Sequence, residues 1–291
     1  MKPFKELHLG EEAIGGLSAG VIGTIIGFPL DVVKTRMQVG SVDGKQNVFA
    51  VGRSIVQKEG IINLYRGIAP PLISLSILNV TTFTQYAYYR ELYNANPGWD
   101  YRNFFAGMSC APVSGAVSTV ENLIKTQMQL DNLKPHKEFS SSWNCFRTLT
   151  QQHGLSIIYT GHVVNTIREA SFIGPYFLFY EGFREMFVQV PGINIKMAVP
   201  VAGGLSGALS WFISFPLDCI RAGVQGQTLP PSKGAVEVLQ GLIQERGFRG
   251  LYAGSSASIA RAFLVSGSRF SAFEAALWMI RGGRNYERHR D

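Results

Sequence analysis

Long apolar segments alternate with short polar stretches along this chain. The first apolar segment, residues 13–30, has no charged side chain and is just long enough to span a bilayer. Small residues recur there and in "VAGGLSGALSWFISFPL" at 201–217, a pattern that lets helix backbones approach closely in a membrane. Stretches such as "VFAVGRSIVQKEG" at 48–60 are amphipathic and suit helices at a membrane surface. The pattern therefore predicts membrane-spanning helices with surface helices between them.

The pattern also repeats. "GFPLDVVKTRMQ" at 27–38 returns as "SFPLDCIRAGVQ" at 214–225 and, with changes, as "TVENLIKTQMQ" at 119–129. Downstream of each copy, "EGIINLYRG", "HGLSIIYTG" and "ERGFRGLYAG" end on a glycine. We predict three tandem two-helix repeats, with the boundaries 1–98, 99–194 and 195–291. The expected fold is an all-α membrane protein, in which six transmembrane helices form a pseudo-threefold bundle with short surface helices on one side.

Composition narrows the function. Of 291 residues, 46% are hydrophobic and 16% charged, the net charge is +7, and the mean hydropathy is only +0.10. The basic residues lie beside apolar runs, which favours anionic lipid or substrate over nucleic acid, and no nucleic-acid motif is present. The histidines and the three cysteines have no metal-binding spacing, and no nucleophile or phosphate-loop motif occurs. We therefore expect neither an enzyme nor a cofactor. The first twelve residues resemble neither a signal nor a transit peptide.

Alternating charges follow the first apolar segment. Pro29 removes one helical hydrogen bond and kinks the helix. Asp31 and Lys34 lie three residues apart, so both are near one helix face. In a threefold bundle the acid of one helix can meet the base of the next, which would form a gate at the neck of a cavity. The alternative, charges that merely cap helix ends at the headgroups, is less consistent with their recurrence.

These features resemble the mitochondrial carrier family over nearly the whole chain. That family has three repeats of two transmembrane helices, with P-x-[DE]-x-x-[KR]-x-[KR] on the odd-numbered helices. In the family, the acid of one odd helix pairs with the base of the next. The resemblance implies that Asp31 pairs with Lys125 and that Asp218 pairs with Lys34.

The third pair, Asn122 with Arg221, lacks its acid. Gln38, Gln129 and Gln225 fall where the family places glutamine braces beneath the ion pairs. The resemblance thus implies a matrix gate that is looser than a complete one. We define this matrix gate as Asp31, Lys34, Gln38, Lys125, Gln129, Asp218, Arg221 and Gln225.

Even-numbered helices in the family end in [FY]-[DE]-x-x-[KR], which forms a cytoplasmic gate. Helix four matches fully, with Glu181 and Arg184. Helix two keeps Arg90 but has Ala87 in place of the acid, and helix six keeps Glu274 but lacks the base. If each acid again pairs with the next base, only Glu274 with Arg90 remains. The resemblance therefore implies a weak cytoplasmic gate.

Charges within a spanning helix are costly and usually functional. Arg168 and Glu169 lie in the fourth predicted helix and Arg261 in the sixth. Arg168, Arg261 and Ser74 each follow their repeat's glycine by seven residues, and they match the family's substrate contact points. Arginine binds a carboxylate through two parallel hydrogen bonds, and a neighbouring carboxylate can hold an amino or trimethylammonium group. We predict a zwitterion site; the alternative is that Arg168 and Glu169 merely pair with neighbouring helices.

The string "RAFLVSGSRFSAFE" resembles the branch of carnitine/acylcarnitine and ornithine-type carriers. Trp211 and Ala87 also resemble that branch. Leu78 stands where ornithine-type carriers have an extra glutamate, so carnitine or a neutral zwitterion is favoured over basic amino acids. Arg269 either lines the cavity or pairs with a neighbouring helix, and in the first case a carboxylate anion becomes an alternative substrate.

The resemblance also implies a location and partners. Family members lie in the mitochondrial inner membrane, with a few in peroxisomes, and bind cardiolipin at the helix starts that correspond to Gly67, Gly161 and Gly254. Free backbone N–H groups at such starts suit phosphate. We expect a monomeric multi-pass transporter that exchanges a small-molecule substrate by alternating access. The alternative of another class is a non-transporting membrane protein with this fold.

Overall fold

A computed structural model of the chain describes residues 9–39, 48–131, 134, 136–190, 195–252, 254–258 and 261. This part of the chain is almost wholly helical and contains no strand, which agrees with the predicted all-α class. None of the helices in the described ranges combines the length and the apolar character that crossing a membrane requires.

The long helices and the short surface helices follow one another in the predicted order. The α-helices are α1 (Leu9–Val39), α2 (Val48–Glu59), α3 (Ala69–Leu92), α4 (Tyr101–Ser109), α5 (Ala111–Asp131), α6 (Ser142–His153), α7 (His162–Gln189), α8 (Ile195–Gln225) and α9 (Ala235–Arg246). Short 3-10 helices follow α2, α6 and α9, at Ile61–Tyr65, Leu155–Tyr159 and Phe248–Tyr252.

Helices α4 and α5 together take the place of one long helix. The break lies at Cys110, which keeps a helical backbone conformation and donates to Gly107 rather than continuing the regular helix. Pro112 explains the break, because it has no N–H to donate to the preceding turn. By contrast, α1 continues through Pro29 to Val39.

Each short helix packs on the long helix that precedes it. Phe28 and Val32 of α1 are fully buried against apolar side chains of α2 such as Val51. The equivalent clusters join α5 to α6 and α8 to α9. Burial of one apolar stripe thus fixes each amphipathic helix against its own repeat.

Three glycines connect the repeats in a ring. Gly67, Gly161 and Gly254 all have a positive φ, of 87°, 74° and 84°, which side chains rarely adopt. A Cβ at Gly67 would lie 3.4 Å from the carbonyl oxygen of Lys125, and one at Gly254 would lie 3.2 Å from that of Lys34. A Cβ at Gly161 would lie 3.3 Å from the Cγ of Gln225. Each repeat therefore touches the charged segment of the next repeat, and the third touches the first.

Helix α7 approaches α4 and α5 closely. A Cβ at Gly107 would lie 2.6 Å from the carbonyl oxygen of Ile173, and one at Gly115 would lie 2.6 Å from the Oγ1 of Thr166. Asn165, also on α7, is fully buried and donates to the carbonyl oxygen of Gly115. This tight packing holds the charged side chains of α7 against α5.

Candidate functional site

A polar cavity of about 210 Å³ lies between α1, α3, α5, α7 and α8. Most of its lining is charged or polar, although several of these side chains are nearly inaccessible to solvent. Its charged lining residues are Asp31, Lys34, Glu121, Lys125, Arg168, Glu169, Asp218, Arg221 and Arg261. Four acids and five bases thus face one small space, and the single excess positive charge favours a ligand that carries a carboxylate.

Asp31 of α1 contacts Lys125 of α5 and also Arg261. Its carboxylate accepts from Lys125 Nζ of α5 at 2.7 Å and contacts Arg261 Nε at 2.6 Å. The pairing of Asp31 with Lys125 that the family resemblance implies is therefore present. The contact with Arg261 was not expected, because Arg261 was predicted to be a substrate contact only.

Asp218 of α8 is the centre of a second cluster. Its carboxylate lies 2.5 Å from Lys34 Nζ of α1, which is the second predicted pair. Arg221 and Gln38 also donate to it, at 2.9 Å and 3.0 Å. Arg168 Nε of α7 lies 3.6 Å away. Asp218 thus balances several cations in a site where its side chain is 1% exposed.

The third gate position has no ion pair between helices among the described contacts. Asn122 lines the cavity, but the Arg221 guanidinium donates to Asp218 and to Gln225 Oε1, both within α8. Gln225 Nε2 in turn donates to the carbonyl oxygens of Thr119 and Thr160. Hydrogen bonds from the side-chain amide of Gln225, rather than a salt bridge of Arg221, therefore connect α8 to Thr119 and Thr160 at this position.

The three predicted glutamine braces differ. Gln38 contacts the Lys34–Asp218 pair through Asp218, as expected, and Gln225 contacts Arg221. Gln129 is fully buried, but neither polar atom of its amide has a hydrogen-bond partner in the described structure. The role of Gln129 as a brace beneath an ion pair stays a prediction.

Gln127, two residues earlier on α5, hydrogen-bonds to the end of α8. Its Nε2 donates to the carbonyl oxygens of Gln225 and Gln227, at 2.7 Å and 2.9 Å. The repeat pattern gave no signal for this contact, because its partners are backbone atoms at the end of α8. Packing of α5 against α8 selects the amide that can reach them.

Arg168 and Glu169 form an ion pair with each other, at 2.7 Å between Nη1 and Oε1. Glu169 also accepts from Ser118 Oγ of α5 at 3.1 Å. The Arg168 guanidinium lies 4.9 Å from the ring centroid of Trp211, within the range of a cation–π contact. Lys34 approaches the same indole at 4.4 Å. Trp211 therefore lies between the predicted substrate site and the matrix gate.

Ser74 donates a hydrogen bond to the Glu121 carboxylate of α5. Glu121 lines the cavity, although the sequence analysis did not single it out. The repeat pattern does not point to Glu121, because it occupies the position of Leu30 and Leu217 in the other repeats. The pattern places the acid one residue later, at Asn122. An acid at a position that is apolar in two repeats was the signal available.

The cytoplasmic gate contains an ion pair that was not predicted. Arg90 of α3 lies 3.3 Å from Glu181 of α7, whereas the expected partner, Glu274, lies outside the described residues. Arg184 Nη2 is 3.5 Å from the same carboxylate. Tyr86 stacks on Phe177, with ring centroids 3.5 Å apart. This stack brings α3 and α7 together, so Arg90 meets Glu181 of α7. The expected pair of Arg90 with Glu274 stays a prediction.

The cysteines provide no reactive group in the described structure. Cys110, Cys145 and Cys219 are all free and buried. On the surface helix α6, burial raises the pKa of the Cys145 thiol to about 12, so it stays protonated at neutral pH. Among the described histidines, cysteines and acids, no group of three is placed to hold a metal ion.

Comparison with known proteins adds a family and named relatives. The family model "Mitochondrial carrier protein" matches residues 5–97, 99–191 and 197–282. A mitochondrial basic amino acids transporter of Bos taurus is 30% identical over 92% of each chain. A mitochondrial arginine transporter of Arabidopsis thaliana is 31% identical over 94% of this chain and 93% of its own. The mitochondrial carnitine/acylcarnitine carrier protein of Mus musculus is 30% identical, over 95% and 94%.

Proposed function

This chain belongs to the mitochondrial carrier family, and we propose that it is a solute transporter of the mitochondrial inner membrane. Its substrate is a small zwitterion of the carnitine, acylcarnitine or amino acid type, moved by alternating access and by exchange. The named relatives support this class, since they are transporters of basic amino acids and of carnitine or acylcarnitine.

One observation supports the substrate class most strongly. Arg168 and Glu169 lie side by side on a cavity wall, both about nine-tenths buried. A guanidinium can bind a substrate carboxylate in a bidentate manner, and the adjacent carboxylate can bind an amino or trimethylammonium group. The two side chains also pair with each other, at 2.7 Å between Nη1 and Oε1. A zwitterion replaces this pair by two new pairs of the same kind.

Arg168 and a second cavity arginine, Arg261, each lie close to an aspartate of the matrix gate. Substrate binding can therefore act on the gate through these two arginines. Arg261 contacts Asp31 at 2.6 Å, and Arg168 lies 3.6 Å from Asp218. A substrate carboxylate that attracts either guanidinium competes with the gate aspartate for it. The aspartate then loses one of its cation contacts, so fewer contacts in total stabilise the closed gate. Substrate binding thereby shifts the equilibrium between the two gates.

The proposal includes six membrane spans in three repeats, at 1–98, 99–194 and 195–291, around a pseudo-threefold axis. The ring of contacts at Gly67, Gly161 and Gly254 supports threefold order, because each glycine lies against the charged segment of the following repeat. We also propose a monomer that binds cardiolipin at the helix starts beside these glycines. Unchanged thermal stability on adding cardiolipin to the purified protein would argue against that lipid.

Reconstitution tests the transport function. Purified protein in liposomes is preloaded with one substrate and supplied outside with labelled carnitine, acylcarnitine, lysine, ornithine, neutral amino acids or dicarboxylates. We expect uptake of at least one zwitterion, which stops when the internal substrate is omitted. Uptake of dicarboxylates alone would contradict the zwitterion site. Absence of uptake across the panel would favour a non-transporting membrane protein.

A further inference from the structure

We infer that Glu121 and Ser74 form a subsite for a second cationic group on the substrate. The subsite would admit dibasic amino acids, whose side chain ends in an amine or a guanidinium. This inference rests on the proposed transport function and specifies its substrate class. It also reverses the expectation, drawn from Leu78, that a second positive charge on the substrate has no partner.

Glu121 differs from the other acids of the cavity in its partners. Asp31, Glu169 and Asp218 each contact at least one Lys or Arg side chain at 2.7 Å or less. Within the described part of the chain, Glu121 has no ion pair; its carboxylate accepts from the neutral hydroxyl of Ser74. A partly buried carboxylate without a cation is unfavourable. A ligand cation would supply the missing charge.

On α5, Glu121 lies between a residue that contacts the predicted substrate site and a residue of the matrix gate. Ser118, one turn before it, donates to Glu169 at the predicted substrate site. Lys125, one turn after it, donates to Asp31 in the matrix gate. Residues three and four apart share a helix face, so the three side chains form one cavity-facing row.

The charged groups around Glu121 leave the position open to a ligand. Lys125, Arg168, Glu169 and Asp31 are near enough for their charges to act on it. Lys125 is already bound to Asp31 and Arg168 to Glu169, each at 2.7 Å, and the other two neighbours are acids. An ammonium or guanidinium group would therefore be attracted to the space between Glu121 and Glu169.

A substrate with three charged groups can pair with an arginine, with Glu169 and with Glu121 at the same time. Its α-carboxylate would bind Arg168 or Arg261, its α-amine would bind Glu169, and its side-chain cation would bind Glu121. Ser74 orients the Glu121 carboxylate through its hydroxyl. A neutral zwitterion or carnitine has no group for Glu121, so its uptake should depend little on that residue.

The test compares Glu121→Gln with the wild type in preloaded liposomes, using labelled lysine, ornithine, carnitine and a neutral amino acid. Loss of one charge-assisted contact predicts that lysine and ornithine uptake falls about tenfold or more. Uptake of the singly cationic substrates should stay within about twofold. Glu245→Gln, on the exposed face of α9, serves as the matched control, and an unchanged unfolding temperature shows that the cavity variant is folded.

Equal loss of all substrates, or unchanged lysine uptake, would overturn the subsite. Wild-type protein that moves carnitine or neutral amino acids but neither lysine nor ornithine would overturn it too, while leaving the proposed function intact. Wild-type protein that moves nothing would instead contradict the proposed function. Retained preference for lysine in Glu121→Asp would support the subsite, because that variant keeps the charge.

Discussion

At the scale of the residue, a single buried carboxylate binds several cationic side chains. Asp218, with a side chain 1% exposed, is contacted by Lys34, Arg221 and Arg168. Such a cluster is tolerated because each buried charge compensates another. Removal of the acid leaves several cations with no opposite charge, which is more costly than loss of one surface ion pair.

Asp218→Asn should therefore destabilise the protein by about 3 kcal/mol or more, since an uncompensated buried charge has that effect. The measurement is the unfolding temperature of the purified protein in detergent. Glu245→Gln, on an exposed surface, should leave that temperature unchanged. An Asp218→Asn protein as stable as the wild type would mean that water already screens the cluster.

At the scale of the element, the described contact between α5 and α8 has no ion pair between the two helices. The α1–α5 and α1–α8 contacts each contain an ion pair between helices, at 2.7 Å and 2.5 Å. Between α5 and α8 there are amide hydrogen bonds, from Gln127 and Gln225. The matrix gate is thus strong on two sides and weaker on the third.

Asn122→Asp should supply the missing acid opposite Arg221. We expect a gain of about 1 kcal/mol, the value of a partly solvated ion pair, and slower exchange in liposomes because the closed gate is more stable. The unfolding temperature and the initial uptake rate are the two measurements. Both effects should disappear in an Arg221→Gln background; if they persist there, the new acid pairs with another base, such as Lys125.

The ion pairs that could be predicted from the sequence are those whose residues recur at the same positions in the repeats. The Pro-x-Asp-x-x-Lys spacing occurs in register in α1 and, with Arg, in α8, so the partners of Asp31 and Asp218 followed from the order of the helices and the family resemblance. Gln129 could not be predicted in the same way. Its position repeats, but the neighbours of its amide depend on how closely α5 packs against α8.

Two other contacts depended on three-dimensional packing. Arg90 meets Glu181 because an aromatic stack between α3 and α7 draws those helices together, and no spacing rule encodes that approach. Glu121 was hidden by the alignment of repeats, which assigns its position to an apolar residue. Its partner, Ser74, had been predicted from its distance along the chain after Gly67, but their contact had not.

At the scale of the whole molecule, the described parts of the three predicted repeats contact one another in turn, and the cavity lies between their helices. Gly67, Gly161 and Gly254 each lie against the next predicted repeat. Arg261 and Arg168 connect the proposed substrate site to the acids of the proposed matrix gate. A ligand that binds these arginines therefore acts on contacts between repeats, which is the coupling that alternating access needs.

The central claim is that Arg261 and Glu169 bind the substrate that the protein transports. The most direct measurement is the initial rate of exchange of labelled substrate in liposomes, for the wild type, Arg261→Ala and Glu169→Ala, each checked for folding by its unfolding temperature. The account predicts that exchange falls to background in both variants while the protein stays folded. Full exchange activity in both folded variants would contradict it.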